Sequence, residues 1–177
     1  MKFGIYITKF KKGDTQMKDK ILFVTKGGEY CDEGFSYVLE LAKTLNASVE
    51  ALIMRPTHLA EDFEDIMTAA TFAEADDLKT AKEIMERQQR TCRKKLEGRI
   101  SELSNKAQEV SVDILCHAAD GDVAAAIKAI LKEKSYIDMV LLSPSLSEKK
   151  NSLDIKRLLR NISKPIVHIS RPATAEI

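Results

Sequence analysis

The stretch that decides the fold is IDMVLLSPSLSEKKNSLDIKRLLRN, residues 137–161. It opens with a short apolar run, turns at Ser143-Pro144-Ser145, and passes through a polar loop into a segment with apolar residues at helical spacing. In open α/β proteins, phosphate groups usually bind at such a crossing from strand to helix, where glycines let the backbone come close. This crossing contains no glycine. The sequence therefore raises the question of whether a nucleotide site is present here.

The same alternation of strand and helix extends outward over most of the chain. Apolar runs of strand length lie at residues 21–25, 48–54, 110–116, 137–142 and 165–169. Helical spacing predicts helices over residues 35–45, 59–107, 123–131 and 153–162. This order predicts a doubly wound α/β domain, with a five-stranded parallel sheet, right-handed crossovers and helices on both faces.

Local signals define several helix ends. Asn46 closes the first helix, and Asp122 is a good N-cap for the third. The second helical region is long enough to predict a break around residues 71–77, and Gly98 is a second weak point.

Residues 1–19 stand outside the regular pattern. Phe3, Ile5 and Ile7 alternate, which fits an extra edge strand, whereas Met17 fits an alternative start that would make the segment dispensable. We expect an ordered but peripheral extension. The domain itself is predicted over residues 20–171, with a tail at 172–177.

Composition and charge exclude several classes of protein. Hydrophobic residues make up 44% and charged residues 31%, and a net charge of +1 does not favour nucleic acid or a membrane surface as a partner. No apolar run approaches the length of a membrane helix, and the N-terminus lacks the features of a secretory signal. The three cysteines are widely spaced and odd in number, which favours reduced thiols and a cytoplasmic location.

The ordered segments together resemble the universal stress protein family. The resemblance lies in KILFVTKGG, GFSYVLELAKTLNASVEAL, HAADGDVAAAI, IDMVLLSPS and LLRNISKPIVHIS, which span nearly all of the chain after residue 19. It implies a sheet in the order 3-2-1-4-5, counting strands from residue 20. It also implies a nucleotide-type cleft at the carboxyl ends of the first and fourth of these strands.

The resemblance also implies where a bound ATP would be held. Family members that bind ATP carry an aspartate after the first strand and a glycine-rich loop, G-2x-G-9x-G followed by Ser or Thr, after the fourth. Here the aspartate position is Lys26, and the first two glycines of the loop fall on Ser143 and Leu146. The final Gly-Ser pair falls on Ser152 and Leu153.

These departures argue against ATP binding of the family type. Pro144 removes an amide donor, and Leu146 would put a branched side chain where a phosphate enters. We therefore predict no cofactor, neither ATP nor AMP. A weak nucleotide or anion cleft is the alternative, and its residues would be Lys26, Gly27, Gly28, Ser143, Ser145, Ser147, Asn151 and Ser152. Lys26 can also be interpreted as filling the empty adenine position with its own stem.

No catalytic or metal constellation is apparent in the sequence. Cys116 and His117, with Asp120 and Asp122 nearby, suggest metal ligands, but adjacent strand residues point to opposite faces and do not converge. We interpret them instead as a buried cysteine and a histidine at a strand end. No Ser-His-Asp, Cys-His or paired-carboxylate arrangement is present, so no enzymatic activity is predicted.

A basic cluster lies between residues 87 and 99, interleaved with glutamates. The offsets of three or four residues favour ion pairs within one helix, so we interpret the cluster as a solvated helix face rather than a nucleic-acid footprint.

The last strand should lie at an edge of the sheet. Ile166, Val167, His168 and Ile169 form an apolar edge with one charge, Arg171, after it. In the family this strand commonly pairs with its copy in a second subunit, so the resemblance implies a homodimer.

These observations lead to one functional prediction with two alternatives. We expect a cytoplasmic, dimeric stress-response or regulatory module with an unknown protein partner, without enzymatic activity or tight ATP binding. The first alternative is a divergent adenine-nucleotide switch that uses backbone amides around Gly27, Gly28 and residues 143–153. The second, a weak ATP-hydrolysing enzyme, lacks a base or metal ligands.

Overall fold

The computed structural model describes residues 4–6, 19–26, 31–55, 59–146 and 155–170. The chain divides into two compact units. The first comprises residues 1–55 and 103–177, and the second residues 56–102.

Six strands and five helices make up the described part of the chain. The strands are β1 (Gly4–Tyr6), β2 (Lys20–Thr25), β3 (Ser48–Met54), β4 (Ile114–Ala119), β5 (Met139–Leu142) and β6 (Ile166–His168). The helices are α1 (Cys31–Leu45), α2 (Leu59–Glu74), α3 (Leu78–Glu109), α4 (Val123–Glu133) and α5 (Ile155–Asn161). A short 3-10 turn, Pro144–Leu146, follows β5.

The strands form one sheet in the order β1-β4-β3-β2-β5-β6. The pairs from β4 to β6 are all parallel, whereas β1 runs antiparallel to β4 with Ile5 opposite His117. Counted from residue 20, the parallel strands follow the order 3-2-1-4-5. The predicted fold class is therefore confirmed, with a further short strand added at the outer edge.

The centre of the sheet is apolar because both of its faces are covered. Residues 21–25 of β2 are all buried, as expected for a central parallel strand. On one face, the rings of Phe23 and Phe35 lie 5.6 Å apart, which packs α1 on the sheet. On the other face, α4 and α5 complete an apolar cluster; its sheet and helix residues include Leu22, Val24, Leu52, Met54, Val140, Leu142, Ala126, Ile127, Ile130, Leu158 and Ile162.

Three helices end in the same hydrogen-bonded turn with a residue at positive φ. Asn46, Asp76 and Ser111 have φ values of 51°, 61° and 60°. In each case the next residue donates its amide to the carbonyl five positions back, as from Ala47 to Ala42 at 2.8 Å. This is the Schellman arrangement, usually built with glycine. In the described part of the chain this turn occurs three times, each time without a glycine.

The predicted bounds of the third parallel strand are wrong. The third parallel strand begins at Ile114 rather than residue 110 and runs to Ala119, because α3 continues to Glu109 and the turn at Ser111 follows it. His117 therefore lies within β4 and not at a strand end. Gly98 does not interrupt α3, which is continuous through it.

The second unit contains α2 and α3 up to residue 102. The predicted break in the long helical region is confirmed, since α2 ends at Glu74 and α3 begins at Leu78. Asp77 caps the new helix, its carboxylate accepting the Thr80 amide at 3.1 Å. The hydrogen bond to Thr80 lowers the pKa of Asp77.

Candidate functional site

The predicted cleft lies where the chain leaves β2 and β5. These strands are parallel neighbours at the centre of the sheet, with β3 beyond one and β6 beyond the other. Connections from them therefore depart in opposite directions. Such a switch point is the general ligand site of open α/β sheets.

Three hydroxyl groups meet at this point and bond to one another. Ser145 Oγ donates to Ser143 Oγ at 3.1 Å and lies 3.4 Å from Thr25 Oγ1. The Lys26 amide donates to Ser145 Oγ at 3.3 Å. Thr25 and Ser143 are fully buried and Ser145 is 9% exposed. The polar groups at the switch point therefore satisfy each other inside the protein.

Gly34 of α1 lies directly against Pro144. A Cβ atom added at Gly34 would lie 3.0 Å from Pro144 Cδ and 3.5 Å from Ser143 Oγ. The first turns of α1 thus contact the loop after β5, at the position where an open cleft would separate them. Sequence reasoning missed this contact, because a single glycine in an amphipathic helix does not identify the residue against which it packs.

Leu146 belongs to the apolar core. It is 1% exposed and lies in the same cluster as Leu142, Ile127 and Leu158. Its amide donates to the Ser143 carbonyl at 3.1 Å, which closes the 3-10 turn. The leucine therefore anchors the loop on the core, whereas the sequence suggested only that it would obstruct a phosphate.

Part of the predicted cleft is brought together and part lies outside the described residues. Lys26, Ser143 and Ser145 are neighbours at the switch point, with Lys26 half-buried. The other predicted members lie outside the described ranges: Gly27, Gly28, Ser147, Asn151 and Ser152.

Asp120 and Asp122, considered as metal ligands, have other partners. Asp120 forms an ion pair with Arg55, whose amide donates to the Ala119 carbonyl at 2.9 Å. Asp122 caps α4, accepting the Ala125 amide at 2.9 Å, as its position in the sequence predicted. Within the described ranges, no group of three or more His, Cys, Asp or Glu side chains could hold a metal ion.

A second polar cluster, missed by sequence reasoning, surrounds Glu50 in β3. Glu50 is 2% exposed. One carboxylate oxygen lies 2.8 Å from His117 Nε2 and 3.0 Å from Lys134 Nζ. The other accepts the Tyr136 hydroxyl at 2.9 Å and lies 3.9 Å from Lys20 Nζ, which itself sits 4.2 Å from the centre of the Tyr136 ring.

These contacts shift the pKa values of the cluster. Burial alone would raise the pKa of Glu50, but the hydrogen bonds from His117, Lys134 and Tyr136 outweigh it and lower the pKa to about 2. Burial would lower the pKa of Lys134, yet its bond to Glu50 raises it. Burial raises the pKa of Tyr136. Glu50 is therefore ionised, and its charge is compensated.

The chemistry of this cluster is structural rather than that of an open site. A carboxylate in an apolar strand is costly unless it is paired and hydrogen-bonded. Both Glu50 oxygens are engaged by donors of this chain, which leaves neither of them directed at a substrate. The signal in the sequence was the single acidic residue within SVEALIM, which predicts a buried partner without identifying it.

Several solved structures that share the fold of this chain are universal stress proteins. One from Burkholderia pseudomallei is 15% identical, with 89% of this chain and 100% of that chain covered and a TM-score of 0.51. Another, in complex with cAMP, is 9% identical, with 88% and 98% covered and a TM-score of 0.53. A third, from Arabidopsis thaliana with AMP bound, is 16% identical, with 88% and 93% covered and a TM-score of 0.52.

The likeness to these structures is one of fold. No family model matches the chain, and no curated protein matches it in sequence. The resemblance inferred from the ordered motifs is confirmed at the level of the fold. In the described part of the chain, no helix combines the length and the apolar character needed to cross a membrane.

Proposed function

We propose that the chain is a stress-response or regulatory module of the universal stress protein type that has no enzymatic activity and does not bind ATP tightly. It acts in the cytoplasm as a homodimer and works by contact with another protein. The fold supports the type of protein. The lack of tight ATP binding draws its support from the packing at the switch point.

The observation that carries the proposal is the packing of the described residues beyond the carboxyl ends of β2 and β5. A triphosphate needs inward-facing amides and room for the backbone to approach it closely. Here the hydroxyl of Ser145 accepts the Lys26 amide, Pro144 lies against Gly34, and Leu146 is buried in the core. Binding a nucleotide at this point would require these contacts to open.

Copurified nucleotide and calorimetry test this proposal together. Protein purified under native conditions and then denatured should release no species that absorbs at 260 nm. Titration with ATP, AMP, cAMP and inorganic phosphate should give no binding heat at millimolar concentration. Stoichiometric nucleotide in the denatured supernatant, or a micromolar Kd for ATP, would overturn it.

A divergent adenine-nucleotide switch is the second candidate. Two structures of the same fold contain AMP and cAMP, and Lys26 can supply a positive charge at the same strand end. If this candidate is right, Ser145→Ala should change the Kd for AMP, because Ser145 Oγ holds the Lys26 amide. Thr44→Ala is the matched control, since the exposed Thr44 hydroxyl donates to the Glu40 carbonyl of its own helix.

A further inference from the structure

Helix α2, in the second unit, carries exposed apolar side chains on the side that a surface helix normally keeps polar. Ile66 and Met67 are 48% and 50% exposed, and Ala70 and Ala73 are also exposed. Met67, Ala70 and Ala73 lie one, four and seven residues after Ile66. This spacing places them in a stripe along one face of the helix. Ala69, which lies off this stripe, is only 6% exposed.

The exposed apolar surface is concentrated in this part of the molecule. Nine large hydrophobic side chains are exposed among the described residues, and four of them fall within residues 66–78. Besides Ile66 and Met67, these are Phe72 at 38% and Leu78 at 65%. Single exposed apolar residues are common on protein surfaces, but a concentration of them marks an interaction site.

Two threonines add to the apolar character of the helix. The hydroxyls of Thr68 and Thr71 donate to the carbonyls of Glu64 and Met67 at 2.8 and 2.9 Å. Because the hydroxyls are satisfied within the helix, these side chains contribute methyl groups to the surface.

The charged side chains around the stripe are all acidic. Residues 59–78 contain seven acidic and no basic residues. Glu64, Glu74 and Asp76 are exposed beside the apolar side chains. This charge disfavours nucleic acid and anionic lipid as occupants. It equally disfavours the same helix from a second copy, which would bring acid against acid.

We propose that the exposed face of α2, formed by Ile66, Met67, Ala70 and Ala73 with Glu64 and Glu74 beside them, is a docking surface for a basic amphipathic helix of a partner protein. An apolar stripe accepts the apolar residues that such a helix presents at i, i+3, i+4 and i+7. The flanking carboxylates match lysine and arginine on its polar side. The inference does not depend on whether a nucleotide binds at the switch point.

Fluorescence anisotropy with a labelled model peptide tests the proposal on the full chain. The probe is an 18-residue peptide of leucine and lysine at helical spacing, and a leucine–glutamate peptide of the same pattern is its control. We expect saturable binding of the basic peptide that weakens with salt, and no binding of the acidic one. The double variant I66S/M67S should weaken binding at least tenfold.

Matched variants distinguish specific binding at the α2 surface from non-specific hydrophobic binding. Leu159→Ser removes an apolar side chain that is 58% exposed on α5 and should leave peptide affinity unchanged. E64Q/E74Q should weaken binding and flatten its salt dependence. Urea unfolding of each variant should give the wild-type midpoint, since the altered side chains are exposed.

Three results would overturn the proposal. One is equal affinity of wild type and I66S/M67S for the basic peptide, and another is equal affinity of wild type for both peptides. The third is a wild-type dimer that I66S/M67S converts to a monomer in sedimentation, because the face would then be covered by a second copy. Nucleotide calorimetry on I66S/M67S should match wild type. A failure of the docking proposal can therefore be told apart from a failure of the proposed function.

Discussion

Glu50 occupies a position in β3 where its neighbours, Val49, Ala51 and Leu52, are all buried and apolar. Its charge is retained because His117, Lys134 and Tyr136 converge on it from elsewhere in the chain. Removing Glu50 would leave the largely buried His117 and Lys134 without their carboxylate, which costs more than the pair contributes. The cluster therefore ties β3 to β4 and to the segment before β5.

Glu50→Gln should destabilise the protein at neutral pH. Glutamine keeps the size of the side chain but leaves the Lys134 charge uncompensated, so we expect the free energy of unfolding to fall by about 3 kcal/mol. Urea unfolding at pH 7 measures this. Glu97→Gln is the control, because Glu97 pairs with Arg93 at an exposed position, and its loss should cost about 0.5 kcal/mol or less.

The contribution of Glu50 should also depend on pH. Its folded pKa of about 2 lies below the ordinary value of 4.5. A group with a lowered folded pKa stabilises the fold above its unfolded pKa and loses that contribution as the pH falls through its folded pKa. The stability difference between wild type and Glu50→Gln should therefore be full above about pH 5 and shrink towards about pH 2. A difference that stays constant over this range would contradict the assignment.

Two helical glycines should respond in opposite ways to alanine. Gly98 has nothing within 4 Å of an added Cβ, so Gly98→Ala should stabilise the protein by about 0.5–1 kcal/mol through helix propensity. At Gly34 the same atom meets buried Pro144 at 3.0 Å, so Gly34→Ala should destabilise by about 1 kcal/mol. Thermal unfolding of both variants is the measurement. A gain in stability at Gly34 would mean that the loop after β5 is loosely held.

At the scale of elements, the helix ends are the most irregular feature. Ser111 stands at the left-handed position after α3, where serine is less suited than glycine or asparagine. Ser111→Gly should therefore stabilise the protein by about 0.5–1 kcal/mol, whereas Asn46→Gly should change little, because asparagine tolerates this conformation. Chemical unfolding compares the two. Equal gains at both sites would show that the identity of the left-handed residue does not matter.

The same turn explains where sequence reasoning failed for the sheet. Val110 and Val112 alternate with polar residues and imitate the start of a strand, but the chain there is completing the turn after α3. The strand at residues 48–54 was predicted correctly, because a proline at position 56 and a buried apolar run bound it clearly. Alternation of apolar and polar residues over only three positions is weak evidence for a strand, and here the helix ends in a left-handed turn instead.

The candidate sites depend on contacts that no local pattern reports. Glu50 meets His117 and Tyr136 at sequence separations of 67 and 86 residues. The strand order that places the switch point was predicted, but the contact of Gly34 with Pro144 became apparent only in the packed structure. Similarly, apolar spacing predicted α2 as a helix without indicating that its stripe is exposed.

At the scale of the whole molecule, β6 bears on the expected homodimer. Within the described residues β6 pairs only with β5, and Val167 is 40% exposed. We expect sedimentation equilibrium at tens of micromolar to give twice the 19.8 kDa chain mass. Val167→Lys places a charge on the edge and should yield monomers, because charged edges resist pairing with another chain. Leu159→Lys, a change at a more exposed position outside the strand, should leave the dimer intact. A wild-type monomer, or a dimer unaffected by Val167→Lys, would exclude β6 as the interface and direct attention to other surfaces of the chain.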